Sequence, residues 1–234
     1  HLYGNLFDTK ELKSRINKKI FIIEDSAHAF CGEYHNKTIG AYADFAVFSF
    51  YATKSITCGE GGAIITNHKK YSENIRSVSN NGMTKPAFKR FINNKYIPWD
   101  VNYYGFKSNL SDINASILTD QVVNYSKTSK IKNDIFKKYK MYLNEIKEIS
   151  FPQDNENNDR DYYLFPIGVN KKYRNKLIEH LLNKKIFVTV NFRSITELNF
   201  YKKKYKNKNC PISEKWGKEQ ISLPFHSKIK ENEI

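Results

Sequence analysis

Short apolar runs that end on polar, chemistry-bearing residues constrain this chain more than any other feature. Lys19-Ile20-Phe21-Ile22-Ile23-Glu24-Asp25 is an apolar run closed by two acids. Phe45-Ala46-Val47-Phe48-Ser49-Phe50 has the same character, and Gly62-Ala63-Ile64-Ile65-Thr66 follows a glycine-rich turn. Continuous apolar runs of this length read as strands covered on both faces, the habit of parallel sheets. Asn67 stands where a residue could cap a helix from about His68 to Val78. Strands alternating with helical stretches predict an α/β domain.

From Ser111 the pattern turns helical. Ser111 and Asp112 offer a cap and an acid at the helix start, and apolar residues recur at Ile113, Ile117, Val122 and Val123. A second helical stretch carries Ile131, Ile135, Phe136, Tyr139, Tyr142 and Leu143. The asparagine-rich loop from Asp154 to Asp161 is the best boundary. The expected division is a large domain over residues 1–150 and a small α+β domain over 151–234. The latter would hold a strand Tyr163–Val169, a helix Lys172–Lys184, a strand Ile186–Phe192, a helix Ser213–Gln220 and a short strand Ile221–Pro224.

The formal net charge of +15 raises the question of nucleic acid. The lysines are scattered, and no recognised nucleic-acid module accompanies them. No nucleic-acid partner is expected, and attraction of an anionic substrate is the better use for the charge. Cys31, Cys58 and Cys210 lie far apart, without metal spacing, which reads as a reduced, cytoplasmic protein with no metal. No apolar run approaches the length of a membrane span, so no membrane partner is expected. The sequence opens at His1 and closes on a polar stretch, Lys228 to Glu233, as a piece of a longer polypeptide would.

The chemistry-bearing residues fall at strand ends, where open α/β sheets bind ligands. They are Asp25-Ser26-Ala27-His28, then Ser49, then Lys54, then Gly59-Glu60-Gly61-Gly62. Singly, each has a plain structural role: a cap, a packed or solvated histidine, a solvated lysine, a tight turn. In this order they suit pyridoxal 5'-phosphate (PLP). That cofactor needs a lysine amine to hold it covalently, an acid beside its pyridine nitrogen and hydroxyl donors for its phosphate. A lysine released during the reaction can also carry protons as general base and acid.

These motifs resemble the DegT/StrS family of PLP-dependent nucleotide-sugar aminotransferases, which have the type I fold of PLP-dependent transferases. His1-Leu2-Tyr3-Gly4 is similar to a family strand end, and Ile23-Glu24-Asp25-Ser26-Ala27-His28-Ala29 to I-E-D-x-A-Q/H-A. Asp44 to Lys54 is similar to D-x-x-x-F-S-F-x-x-x-K, with the GEGG turn following at Gly59. Gly105 to Asp112 is similar to the segment before the family's long helix, and Ser222-Leu223-Pro224 to its late strand. The resemblance implies a partial large domain with a mainly parallel sheet, followed by a small α+β domain. It implies that Lys54 carries PLP as a Schiff base and that Asp25 partners the pyridine nitrogen. Ala27 would lie against the ring, His28 near the ring oxygen, and Ser49 at the phosphate. Asn109, or alternatively Lys107, would reach the phosphate of a neighbouring subunit, making a homodimer with shared sites. Asn191 and Arg193 are the substrate-binding candidates, although the two histidines that many relatives carry in this segment are replaced at Asn191 and Thr196. The implied reaction moves an amino group from an amino acid, glutamate, to a nucleotide-linked keto-deoxysugar for surface-polysaccharide or glycoconjugate synthesis. Another PLP reaction or a non-catalytic PLP-binding regulator stays open, but Lys54 argues against the dehydratase variant, in which histidine replaces the lysine. The family's N-terminal phosphate loop and ring-stacking aromatic lie outside this sequence.

Overall fold

The computed structural model describes residues 1–84, 90–153, 160–206 and 209–234. They form two compact units.

The first unit comprises His1–Leu2 and Leu6–Val123. Its elements are α1 (Thr9–Arg15), β1 (Ile23–Asp25), the hairpin of β2 (Glu33–Tyr34) and β3 (Lys37–Thr38), β4 (Phe45–Ser49), β5 (Gly62–Ile65), α2 (Lys69–Val78), a small hairpin of β6 (Phe91–Ile92) and β7 (Lys95–Tyr96), and α3 (Asp112–Val123). The central sheet has the order β1-β4-β5. β1 runs parallel to β4, with Asp25 opposite Val47. β5 is antiparallel to β4, with Ser49 opposite Gly62. The sheet is thus mixed where the sequence suggested mainly parallel pairing. The connection from β4 to β5 lacks the crossover helix that a parallel return uses, and its glycine turn sends the chain straight back.

The pleat divides this sheet into two faces. Ala46 and Phe48 pack with Leu6, Ala29, Tyr34 and Ile39. The buried Glu24 lies opposite Ala46. Its carboxylate accepts from Tyr34 Oη and from Gly40 N, each at 2.7 Å, and His1 Nε2 lies 3.6 Å away. Burial, reinforced by bonding to Glu24, raises the Tyr34 phenol above its ordinary value. The expected strand over residues 19–25 shrinks to β1, and it is not covered on both faces: Ile22 and Glu24 are buried, while Ile23 is 65% exposed. Around Phe45, an aromatic cluster with Phe21 and Tyr71 ties α2 to the sheet. His68 occupies the cap position of α2 without a side-chain cap bond, so Asn67 does not cap it. At α3, Ser111 Oγ accepts from Asn114 N at 3.2 Å, the cap expected from the sequence. Leu2–Gly4 form a 3₁₀ turn rather than a strand end.

The second unit comprises Tyr3–Asn5 and Asn124–Ile234. It holds α4 (Tyr125–Leu143), β8 (Ile149–Ser150), β9 (Phe165–Val169), α5 (Lys171–Asn183), α6 (Asn199–Lys204), α7 (Pro211–Glu219) and β10 (Gln220–Leu223). The antiparallel sheet β10-β9-β8 packs on α4. Ile135 and Tyr139 of the helix meet Phe165, Ile167, Val169 and Ile221, and the Tyr139 and Phe165 rings stack at 4.8 Å. This packing moves the division to Val123/Asn124, ahead of the boundary near residue 150 expected from the sequence. The apolar face of α4 belongs to the second core. Of the polar loop taken as that boundary, residues 154–159 lie outside the described residues. Asp161 is fully buried and accepts from Tyr125 Oη. The segment Ile186–Phe192, expected as a strand, makes only the single bridge Thr189–Ser222. Its approach passes through Lys185 at φ +62°, and Phe187 is 75% exposed, so the run lacks the partner and cover that a strand needs. Among the described residues, no helix is long and apolar enough to cross a membrane, and no cluster of three metal-ligating side chains occurs.

Candidate active site

Because β1 and β4 are parallel, their last residues, Asp25 and Ser49, open at the same carboxyl edge of the sheet. Asp25 does not cap a helix. Its Oδ1 accepts from Ala27 N at 3.0 Å, closing a tight turn that leads to His28. Ser49 Oγ accepts from Tyr51 N at 3.4 Å and is half-buried.

Beyond Ser49 the chain forms a loop closed at its base. Phe50 N donates to Gly61 O at 2.8 Å, and Cys58 N donates to Phe50 O at 3.1 Å. Within the loop, Lys54 N donates to Tyr51 O at 3.0 Å, turning the chain at the lysine. The glycines that follow have separate reasons. Gly59 sits at φ +84°, where side chains are strained. Gly62 enters β5 so closely that a Cβ would stand 2.8 Å from Phe48 O.

Two supports of this loop escaped the sequence analysis. Gln121 of α3 accepts from Thr57 N at 3.0 Å and donates to Thr57 O at 2.7 Å. Asn114 Nδ2 donates to Glu60 O at 3.1 Å. Both are polar residues on a helix, which sequence alone reads as solvated; no local signal marks a contact across such a sequence separation.

The loop sets Lys54, Asp25 and His28 within electrostatic reach of one another. Burial lowers the Lys54 amine from its ordinary value, and the Asp25 charge opposes that shift. Burial, assisted by the positive charge of Lys54 and opposed by Asp25, pushes His28 down to about 4. His28 is therefore a neutral imidazole at physiological pH. Its folded value lies below its unfolded one, so the unfolded chain binds more protons between about pH 4 and 6.5. Stability should rise with pH across that window, and His28→Gln should flatten the rise. Urea midpoints measured at intervals from pH 4 to 7 check this; an unchanged slope in the variant would remove His28 as its source.

Lys107 Nζ reaches Asn80 Oδ1 at 3.4 Å. Asn109 lines a cavity of about 740 Å³ with Val47, Ile64, Ile75 and Arg76. In the second unit, Asn191 N donates to Gln220 Oε1 at 2.8 Å, and Asn191 Oδ1 accepts from Thr189 Oγ1 at 2.5 Å. The exposed Arg193 bonds Glu197 O at 3.4 Å.

Comparison with known proteins agrees with this architecture. The chain is 31% identical over 241 residues to the uncharacterized protein MJ1066 of Methanocaldococcus jannaschii, covering 100% of this chain and 62% of that protein. It is 28% identical over 225 residues to the spore coat polysaccharide biosynthesis protein SpsC of Bacillus subtilis, covering 93% and 58% respectively. Among solved structures, the PMP-form of the putative sugar aminotransferase Spr1654 from Streptococcus pneumoniae superposes with a TM-score of 0.90 at 25% identity, covering 99% of this chain and 64% of that one. Helicobacter pylori PseC, an aminotransferase of pseudoaminic acid biosynthesis, gives 0.87 at 24% identity, with coverages of 99% and 62%. The chain thus spans less than two thirds of the length of these relatives. The likeness to such structures shows the type I fold of PLP-dependent aminotransferases. With its whole length, residues 1–234, matching the family model, the chain belongs to the DegT/DnrJ/EryC1/StrS aminotransferase family, whose members use PLP.

Proposed function

We propose that this chain is the greater part of a PLP-dependent sugar aminotransferase that transfers an amino group from glutamate to a nucleotide-linked keto-deoxysugar. The observation that carries this reading is the half-buried Lys54 amine, lowered in basicity and set within electrostatic reach of Asp25 at the carboxyl edge of the sheet. The donor set fits the cofactor: an amine to hold it, a carboxylate for its ring nitrogen and a strand-end hydroxyl for its phosphate. When bound, PLP supplies an electron sink for the carbanion formed when a proton leaves the substrate carbon.

This chain's residues do the rest. Lys54 would hold the cofactor and, once released, its Nζ would take up and return the substrate proton; its lowered basicity makes more of the neutral, proton-accepting amine available near neutral pH. Asp25 keeps the ring nitrogen protonated, since a nearby negative charge favours the charged form. His28, neutral at working pH, hydrogen-bonds near the ring oxygen without adding charge. Ala27 would lie against the ring, and Ser49 would donate to the phosphate. Asn109 or Lys107 reaches the phosphate of a second subunit, so that the working protein is a homodimer in the cytoplasm. Asn191 and Arg193 bind the sugar substrate, the arginine offering charge to the nucleotide's phosphates. The name of SpsC and the pseudoaminic acid role of PseC support a place in surface-polysaccharide or glycoconjugate synthesis.

Borohydride reduction of the full-length protein with PLP, followed by peptide mapping, tests the central assignment. The expected result is PLP fixed on the peptide containing Lys54. Fixation on any other lysine would overturn it.

A further inference from the structure

The Lys54 loop is held by the peptide unit of one residue three positions beyond the lysine. Thr57 N and Thr57 O are both engaged by the carboxamide of Gln121, at 3.0 and 2.7 Å. Gln121 Nε2 also donates to the helix carbonyl of Ile117 at 2.9 Å, which fixes the side chain against its own helix. The amide orientation is thereby determined: reversing it would set NH₂ against the Thr57 N–H and oxygen against two carbonyls. Thr57 Oγ1 extends the clamp on both sides, donating to Phe50 O at 3.2 Å and accepting from Gly59 N at 3.0 Å. One rigid helix therefore fixes the base of the loop that carries the lysine.

We infer that Gln121 is a positioning residue for Lys54, holding its loop so that the amine stays within electrostatic reach of Asp25 and where it would hold the cofactor. The inference rests on Lys54 as the cofactor lysine, argued above. Asp25 at the end of β1 is the charge that acts on the amine, and the amine in turn acts on His28 in the loop after β1. Loosening the clamp would let water reach Lys54 and change its distance from both. The hold on the cofactor and the acid–base behaviour of the lysine should then shift together, an outcome that simple loss of packing would not give.

The test uses the full-length holoenzyme with two variants. Gln121→Met keeps the shape and removes both bonds. Gln121→Glu keeps the acceptor for Thr57 N and loses the donor to Thr57 O. The expected result in each is release of PLP on dialysis about tenfold faster than wild type, the effect of losing about one part-buried hydrogen bond. The midpoint of the visible-absorbance pH titration should also move by about one unit. Thermal melting identifies a variant that has merely failed to fold, and the other variant then decides. Unchanged release and an unchanged midpoint in a folded variant would overturn the clamp. If borohydride maps wild-type PLP to a lysine other than Lys54, the reading of the site fails instead, and the inference falls with it.

Discussion

Lys54→Ala should lower turnover by on the order of 10⁴-fold or more, the scale on which loss of a covalent catalytic group acts. The framework should stay folded. The loop's base is closed by backbone bonds between Phe50, Cys58 and Gly61 and by the carboxamide of Gln121, all of which survive loss of the lysine side chain. The loss should therefore appear in single-turnover absorbance measurements with glutamate, while circular dichroism stays that of the wild type. A folded Lys54→Ala protein that retained turnover within tenfold of wild type would remove the lysine from the chemistry.

Asp25→Asn isolates charge from shape. Asparagine keeps the side chain's size and an oxygen that can accept from Ala27 N, so the turn after β1 should hold. What disappears is the negative charge that favours a protonated ring nitrogen and that opposes the lowering of Lys54. Turnover should fall on the order of a hundredfold or more, as removal of an electrostatic contribution to the transition state commonly does. PLP should still be fixed on the peptide containing Lys54 by borohydride. With the opposing charge gone, the amine's basicity should fall further. Near-normal turnover in Asp25→Asn with PLP bound would leave Asp25 only its turn-forming role.

Local order was the part of this protein that its sequence disclosed. The runs ending at Asp25 and Ser49, and the glycines after Lys54, carry their own pattern. Strand periodicity, a strand-end acid and a turn needing positive φ are all written in neighbouring residues. The direction of β5 was not so written, because pairing sense depends on the connection and not on the strand's composition. Nor was the allegiance of α4, whose apolar face could have served either core. Ile186–Phe192 looks like a strand from composition alone, yet it bridges only at Thr189. Gln121 was invisible for a further reason: its partner is the backbone of Thr57, and a backbone contact leaves no trace in residue type.

Glu24 and Asp25 are near-twins in chemistry, and the parity of the strand alone separates their duties. Glu24 points inward to Tyr34 Oη and Gly40 N, while its neighbour stands exposed beside Lys54. A slip of β1 by one residue against β4 would exchange every side chain between the faces. The frame shift that sets Asp25 opposite Ala46 would put the shorter acid in the core and turn the longer one to the other face, one position short of the strand end. Aspartate, one methylene shorter, would fall short of spanning both Tyr34 and Gly40, and a buried carboxylate short of its donors is costly. The inward acid therefore acts as a proofreading mark for the outward one: only the frame that satisfies Glu24 also delivers Asp25 to the lysine.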